Sequence, residues 1–277
     1  MLTRLALVSF GERDEWYAQA HLAILTALAN LPAPHEVVVT TDRPDCYRWL
    51  SGRILLRKLT PEDLVEWSGP QRFVWRIVLK ALVEAALREP QAHFIYLDTD
   101  TLVRKPLDPL VAALEAGDVF LHTLESPLHA RRADSHRNLW EQTRGRFSVD
   151  DKTELWNSGV VALGAQNLQL LPKALRLCDE MTAAGVESWL IEQLAQSIVY
   201  QSTGRLRAAK PFIDHYWGNK AGYNESVRKR LATVLMRGMS VEQAVEYVRE
   251  HPIPQRPLRV KPRWWHRYFK RLAGAEH

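Results

Sequence analysis

The stretch HFIYLDTDTLVRKPL, residues 93–107, decides the fold of this chain. Residues 94–97 are apolar and rich in strand formers, and two carboxylates, Asp98 and Asp100, follow them directly. Ligands of a largely parallel sheet bind beyond the carboxyl ends of its strands. We therefore predict a buried strand at 93–97 with ligand-binding groups at its end.

Strand and helix patterns alternate on both sides of this stretch, which is typical of βαβ units and a mostly parallel sheet. Before it, strands are predicted at 5–10, 36–41 and 53–56, and helices at 16–31 and 72–88. After it, strands are predicted at 118–122 and 156–163, and helices at 168–182 and 188–201, with two more helices before the tail. Residues 123–155 carry no convincing strand and are predicted as a long loop.

The same sheet geometry places further candidate residues. Chemistry is expected just after Phe10, Thr41 and Leu97, where the predicted parallel strands end. Asp42 follows Thr41 directly and is therefore a candidate binding residue.

Composition indicates a globular protein. The chain has 277 residues, 46% of them hydrophobic and 25% charged, which is enough for one large domain. Cys46 and Cys178 form no CxxC pair and are interpreted as reduced thiols. The apolar run at 5–10 is too short for the core of a signal peptide, and no segment supplies 18 clean apolar residues. We therefore expect a cytoplasmic protein.

The net charge of +5 belongs to the tail. Residues 255–277 hold seven basic side chains and one acid, which leaves 30 basic and 31 acidic side chains in the other 254 residues. Nucleic acid is therefore not an expected partner. Because the tail interleaves its basic residues with Trp264, Trp265, Tyr268 and Phe269, we predict a peripheral contact with an anionic surface, the inner face of the cytoplasmic membrane. A solvated tail is the alternative.

Asp98 and Asp100 are candidate metal ligands. Two carboxylates spaced two apart in extended chain point to one side and repel each other unless a cation lies between them. Mg²⁺ and Mn²⁺ bind through carboxylates together with substrate phosphates. Acidic pairs at strand ends also cap helices and form turns, so the pair alone leaves a structural role open.

Three more motifs follow in order along the chain. Asn157, Ser158 and Gly159 open a second apolar strand. Glu192 and Gln193 lie in an otherwise apolar helix. The segment HYWGNK, residues 215–220, places an imidazole, a glycine and an ammonium group close together.

This order of motifs resembles glycosyltransferase family 8, a GT-A family of retaining enzymes that use nucleotide-sugars. The resemblance covers about residues 4–220, and the segment 95–107 is particularly similar to the family's metal-binding segment. It implies an α/β GT-A fold with a mixed central sheet and C-terminal helices. It also implies Mn²⁺ or Mg²⁺ as cofactor, a nucleotide-sugar donor, most simply a UDP-sugar, and a glycan or glycolipid acceptor in polysaccharide biosynthesis.

The resemblance also implies roles for individual residues. Asp98, Asp100 and His215 match the metal ligands, and Asp98, Glu192 and Gln193 match the groups at the reacting carbon. The residues that match the nucleotide-sugar site are Ser9, Phe10, Tyr17, Arg76, Asn157, Ser158, Gly159, Gly218 and Lys220. The chain departs from the family pattern at Lys220, which comes one residue early, and at residues 11–13, where the family carries an acidic residue.

Helix 72–88 adds one candidate of its own. Its polar residues recur every fourth position on an otherwise apolar helix, so they form a single stripe on one face. If this stripe faces a crevice, Arg76 and Lys80 are donor contacts; a solvated face is the alternative.

Several assignments stay open at this stage. A retaining enzyme needs no strong base if the leaving group accepts the acceptor's proton, whereas an inverting enzyme needs a carboxylate such as Glu192 or Asp150. Trp140, Trp156, Trp189 and Trp217 are candidates for an acceptor site. His122, His129 and His136 are predicted as loop residues.

The predicted organisation is a catalytic domain at 1–223, a helical extension at 224–254 and the basic aromatic tail at 255–277. Two other functions stay open. A sugar-phosphate nucleotidyltransferase would share the sheet and the metal, and a noncatalytic, membrane-associated carbohydrate-binding protein would tolerate loss of the acidic pair.

Overall fold

A computed structural model describes residues 1–130 and 133–256 of the chain. The strands are β1 (Thr3–Ser9), β2 (His35–Thr41), β3 (Leu55–Lys58), β4 (His93–Leu97), β5 (Thr101–Val103), β6 (Val119–Pro127), β7 (Glu154–Leu163), β8 (Leu206–Ala208) and β9 (Ile213–His215). The α-helices are α1 (Asp14–Leu28), α2 (Pro61–Ser68), α3 (Val74–Leu87), α4 (Asp108–Glu115), α5 (Asp134–Thr143), α6 (Leu170–Ala183), α7 (Ile191–Gln201), α8 (Lys220–Met236) and α9 (Val241–Glu250).

Seven of the strands form one mixed sheet in the order β3-β2-β1-β4-β7-β6-β8. The strands from β3 to β4 are parallel, and β7 is antiparallel to both β4 and β6. The mixed central sheet predicted from the sequence is therefore confirmed. Because β7 reverses direction, its first residues lie beside the carboxyl end of β4, where Leu97 pairs with Val160.

A second, two-stranded sheet lies at the same edge. β5 pairs with β9 so that Thr101 lies opposite His215. The backbone N–H of Tyr216 donates to the carbonyl of Asp100 at 3.0 Å. This short sheet therefore brings the segment around residue 215 to the acidic pair.

The core lies on both faces of the large sheet because side chains alternate along each strand. In β1, Leu5 and Leu7 pack on the face covered by α1, while Ala6 and Val8 pack on the face covered by α3. The C-terminal helices α8 and α9 pack against α1 and extend the first of these clusters through Val227.

The stretch predicted as a long loop contains regular structure, which corrects the sequence prediction. β6 continues to Pro127, α5 covers Asp134–Thr143, and β7 begins at Glu154. The outer half of β6 pairs with β7 through two register shifts and is only partly buried, so its side chains show no simple alternation. Strands β5, β8 and β9 have three residues each, which is too short for any periodicity to show.

Two histidines that were predicted as loop residues lie in regular elements and are buried. His122 lies in β6 and His136 in α5, whereas His129 lies in a short 3₁₀ turn. The loop assignment was wrong for both. His122 ends the strand predicted at 118–122, which the structure extends to Pro127, and the helix around His136 was not predicted.

Membrane contact was predicted for the tail. Residues 257–277, which hold most of that basic aromatic segment, lie outside the described residues. Within the described ranges, no helix combines the length and apolar character needed to cross a membrane.

The α3 side of the core offers a test of this packing. Leu79 is fully buried between α3 and the sheet. We expect Leu79→Ala to lower the free energy of unfolding by about 2–5 kcal/mol because it removes buried apolar contacts and leaves a cavity. Urea denaturation measures this change. Val65→Ala, at a position that is 75% exposed, is the control and should shift the free energy by less than about 0.5 kcal/mol. Equal effects of the two variants would contradict the packing described.

Candidate active site

Two carboxylates and one imidazole converge at the carboxyl edge of the sheet. Asp98 and Asp100 follow β4, and His215 ends β9. Nε2 of His215 lies 3.5 Å from Oδ2 of Asp98 and 3.4 Å from Oδ1 of Asp100. One ligand atom from each residue lies within 4.8 Å of the other two. The three residues predicted as metal ligands are therefore together.

The tautomer of His215 suits a metal ligand. Nδ1 lies 2.7 Å from Oδ1 of Asn157, and Nδ2 of Asn157 donates to Oε1 of Glu125 at 3.1 Å. This orientation of the amide makes Oδ1 the acceptor, so Nδ1 of the imidazole carries the proton. When the imidazole is neutral, as metal binding requires, its lone pair is on Nε2, beside the two carboxylates, the arrangement in which a second hydrogen bond orients a metal-binding histidine. Without a cation, the same carboxylates favour a proton on Nε2. Oxygen and imidazole ligands in this arrangement fit Mn²⁺ or Mg²⁺.

The charges in this cluster strongly perturb each other. Burial raises the pKa of Asp98, and the charge of Asp100 raises it further. Burial acts in the same direction on Asp100, but His215 and Lys220 outweigh it and hold the pKa of Asp100 below its usual range. Burial would lower the pKa of His215, but the two carboxylates raise it above its ordinary value. Nζ of Lys220 lies 3.0 Å from Oδ2 of Asp100. The cluster thus concentrates negative charge, which is offset by His215, Lys220 and the hydroxyl of Tyr96, a hydrogen-bond donor to Asp98.

A cavity of about 290 Å³ opens on this cluster. Nine of the predicted site residues line it, namely Asp98, Asp100, Asn157, Ser158, Gly159, Glu192, Gln193, His215 and Lys220. Gly218 lies in the short 3₁₀ turn Trp217–Asn219 that precedes Lys220. The motifs that the sequence places in four separate segments therefore share one cavity.

The two polar residues of α7 line the wall of the cavity. The hydroxyl of Ser158 donates to Oε2 of Glu192 at 3.2 Å, and Nε2 of Gln196 donates to Oε1. Burial, and then the charge of Asp98, raise the pKa of Glu192 to about 8. Among the described residues, Nε2 of Gln193 is buried without a hydrogen-bond partner. A protonated carboxyl and an unpaired amide are suited to hydrogen-bond the hydroxyls of a substrate.

The candidates for the nucleotide form a separate cluster at the ends of β1 and β2. The hydroxyl of Tyr17 lies 2.6 Å from Oδ1 of Asp42 and 2.8 Å from the carbonyl of Gly11. Oγ of Ser9 lies 2.7 Å from the hydroxyl of Tyr47, and Phe10 is half-buried beside it. These residues lie at the edge that carries the acidic pair but do not line the cavity.

Arg76 and Lys80 are not brought to the cavity. Nε of Arg76 lies 2.6 Å from Oδ1 of Asp179, and its Nη1 donates to the carbonyl of Trp67 at 2.8 Å. This side of α3 packs against α6, so the arginine connects α3 to α6 and α2. A polar stripe on a helix does not itself distinguish a crevice from a neighbouring helix.

The structure adds cavity residues that the sequence analysis missed. Glu125 lines the cavity from β6, in the part of that strand predicted as loop, and Trp75 lines it from the first turn of α3. Asp150 lines a different groove, and its carboxylate accepts from the backbone of Lys152. No periodic signal marked Glu125, and Trp75 is one tryptophan among ten.

Two of the four tryptophans considered for an acceptor site line the cavity. These are Trp189 and Trp217. Trp140 packs near the ring of His129 instead, and Nε1 of Trp156 donates to Glu154. The helix predicted at 188–201 included Trp189, but α7 begins at Ile191 and leaves Trp189 in the loop before it.

Known proteins provide a limited comparison. No protein-family model matches the chain, and no curated protein matches it. Among solved structures, the chain is similar to the galactosyltransferase LgtC, whose crystal structure contains donor and acceptor sugar analogues. The two sequences are 16% identical, the alignment covers 75% of this chain and 73% of that chain, and the TM-score is 0.49.

The close approach of β7 to the cluster gives a test of the metal site. A Cβ added at Gly159 would lie 2.2 Å from Nδ1 of His215 and 2.9 Å from Oδ2 of Asp98. We expect Gly159→Ala to displace the imidazole and weaken Mn²⁺ binding about 10–100-fold, as measured by isothermal titration calorimetry.

The control for this test is Gly52→Ala. Gly52 has a φ of +84°, which Gly159 does not share, so alanine there strains the backbone, but a Cβ at position 52 meets nothing within 4 Å. Its Mn²⁺ affinity should equal that of the wild type. A folded Gly159→Ala variant with wild-type affinity would rule out this metal site.

The raised pKa of Glu192 predicts that the free energy of unfolding depends on pH. The folded pKa of about 8 lies above the ordinary value of 4.5, so between these pH values the folded chain holds a proton that the unfolded chain has lost. The free energy of unfolding should then fall as pH rises through this window, by up to about 1.4 kcal/mol per pH unit for this proton. Urea denaturation in EDTA at several pH values measures the slope. Glu192→Gln should reduce it, and Glu250→Gln, at an exposed position, should not. An unchanged slope in Glu192→Gln would contradict a buried, protonated Glu192.

Proposed function

We propose that this protein is a metal-dependent glycosyltransferase of the GT-A type. In this proposal it transfers a sugar from a nucleotide-sugar, with UDP as the carrier, to a glycan or glycolipid acceptor with retention. The observation that carries the proposal is the convergence of Asp98, Asp100 and His215 in a cavity that Lys220 also lines. Cleavage of a sugar–diphosphate bond is accelerated when metal ligands and cations are concentrated at the leaving group, because they stabilise its developing negative charge.

Asp98, Asp100 and His215 would hold the cation. Bound there, Mn²⁺ or Mg²⁺ would supply charge neutralisation for a departing diphosphate. Lys220 lies on the cavity side of Asp100, with 44% of its side chain exposed, and is placed to donate to a phosphate oxygen. Gly218, in the turn before Lys220, would let the backbone come close to the diphosphate.

Asn157, Ser158, Gly159, Glu192 and Gln193 would surround the donor sugar. Asn157 orients the imidazole of His215, and Gly159 leaves room for that ring. Neutral Glu192 and the free Nε2 of Gln193 supply hydrogen bonds to sugar hydroxyls. A carboxyl that is protonated at neutral pH is a weak base. This supports a mechanism in which the leaving diphosphate accepts the acceptor's proton.

The nucleoside would bind at the ends of β1 and β2. Phe10 and Tyr17 offer rings for stacking, and Asp42, already a hydrogen-bond acceptor for Tyr17, offers a carboxylate for a ribose or base. Ser9 would help to hold this cluster in place through its hydrogen bond with the hydroxyl of Tyr47. Arg76 takes a positioning role in this proposal because Asp179 already binds its guanidinium group.

The remaining parts of the proposal rest on the sequence. They are the division into a catalytic domain at 1–223, a helical extension at 224–254 and a tail at 255–277 that contacts an anionic membrane surface. A cytoplasmic protein held at the membrane in this way would meet lipid-linked acceptors.

Donor hydrolysis tests the proposed function. Wild-type protein and Asp100→Asn are incubated with a panel of nucleotide-sugars, with and without Mn²⁺, and release of the nucleoside diphosphate is measured. We expect hydrolysis of at least one donor only with Mn²⁺, and a loss of about 100-fold or more in Asp100→Asn because one ligand and one charge are removed.

Asp45→Asn is the matched control. Asp45 is an exposed carboxylate that pairs with Arg48 and does not line the cavity, so the same substitution there should leave hydrolysis unchanged. Hydrolysis that needs no metal, or that survives Asp100→Asn at the wild-type rate, would refute the proposed function.

A further inference from the structure

Two exposed tryptophans separate the candidate active site from a second groove. Trp75 and Trp189 line the cavity of about 290 Å³ that contains the acidic cluster. The same two residues line a neighbouring groove of about 560 Å³ between the first turn of α3 and the loop before α7. The cavity and the groove therefore lie next to each other, with these two rings between them.

Trp189 lies on a loop that hydrogen bonds hold in place. The backbone N–H of Glu187 donates to Oε1 of Gln142, whose Nε2 lies 3.4 Å from the carbonyl of Glu187. The backbone N–H of Leu190 donates to Oγ of Ser188 at 3.1 Å. Even so, 56% of the Trp189 side chain is exposed. The exposed face of the ring is not buried on folding and so does not stabilise the folded chain. That face is available for contact with a ligand.

Trp75 is held in the same way from the other side. It is 43% exposed in the first turn of α3, and the next residue, Arg76, is bound to Asp179 of α6 and to the carbonyl of Trp67. The turn before it is closed by the hydrogen bond from the N–H of Arg72 to the carbonyl of Gly69 at 3.0 Å. The backbone segments that carry the two rings are thus held in place, which lowers the entropy lost when a ligand orders them.

The lining of the groove indicates the chemistry of its ligand. The charged residues that line the groove are Arg72 and Glu187, whose charges cancel. A polyanion is therefore not favoured as the ligand. The rest consists of amide and hydroxyl groups, such as those of Gln71 and Ser188, beside aromatic and aliphatic side chains. Hydroxyl-rich molecules with apolar CH faces, which are carbohydrates, match a lining of rings and neutral polar groups.

We propose that this groove binds the acceptor as an oligosaccharide chain. The sugar unit that reacts would lie in the cavity near Gln193, and the following units would pass between Trp75 and Trp189 into the groove. The proposal rests on the proposed function because the cavity must be the site of sugar transfer. It goes further by naming the acceptor as a chain of several sugars and by giving the residues that select it.

A printed array tests the proposal. Defined glycans of one to six sugar units, with peptides on the same array, are probed with the full chain in the presence of UDP and Mn²⁺. We expect binding to glycans of three or more units and weaker binding to their one- and two-unit counterparts. Trp189→Ala and Trp75→Ala should each weaken binding to the longer glycans about tenfold, whereas the phenylalanine variants keep a stacking ring and should lose less.

Met236→Ala, at a position 87% exposed at the end of α8, is the control and should bind as the wild type does. Thermal unfolding of each variant shows whether it is folded. The proposal is overturned if no glycan binds, if binding does not increase with chain length, if peptides bind instead, or if folded tryptophan variants bind like the wild type.

Metal-dependent donor hydrolysis, measured on the same preparations, separates this proposal from the proposed function. Hydrolysis needs no acceptor, so we expect the wild-type protein to hydrolyse a donor in the presence of Mn²⁺ whether or not a glycan is bound. Intact hydrolysis without length-dependent glycan binding would refute the groove alone. Absent hydrolysis in the wild type would refute the proposed function.

Discussion

The electrostatic problem at the end of β4 is the constraint on which the rest of this structure depends. Asp98 and Asp100 lie close together in a largely buried position, where two negative charges strongly disfavour each other. His215 and Lys220 offset this charge from a segment more than a hundred residues later in the chain. The fold must therefore hold β9, through its pairing with β5, and the start of α8 near the carboxyl end of β4, and a bound divalent cation would complete the neutralisation.

The reversal of strand direction at β7 makes the cavity possible. An antiparallel β7 begins where β4 ends, so the polar residues at its start lie beside the acidic pair. Gly159 is the point of closest approach, because any side chain there would overlap the imidazole of His215. The neighbouring Ser158 then meets Glu192 of α7, which carries the polar groups of the cavity wall.

On the face of the sheet covered by α3, contacts between helices hold the segments that carry Trp75 and Trp189 beside the cavity. Arg76 is bound by Asp179 of α6, which ties the first turn of α3, where Trp75 lies, to α6. The loop that carries Trp189 is fixed by Gln142 of α5 in a similar way. The backbone around Trp75 and Trp189 is thus held by contacts with α6 and α5. None of these contacts involves Asp98, Asp100 or His215.

The sequence by itself determined β4 and the order of the four motifs, because a buried strand followed by acidic residues is a local pattern. It also determined that the +5 charge belongs to the tail. Only the tertiary structure decided that Arg76 binds a residue 103 positions away, that Glu125 reaches the cavity and that Trp75 and Trp189 flank its opening. These outcomes depend on which distant elements pack together, and periodicity along the chain reports the buried face of an element but not the partner that covers it.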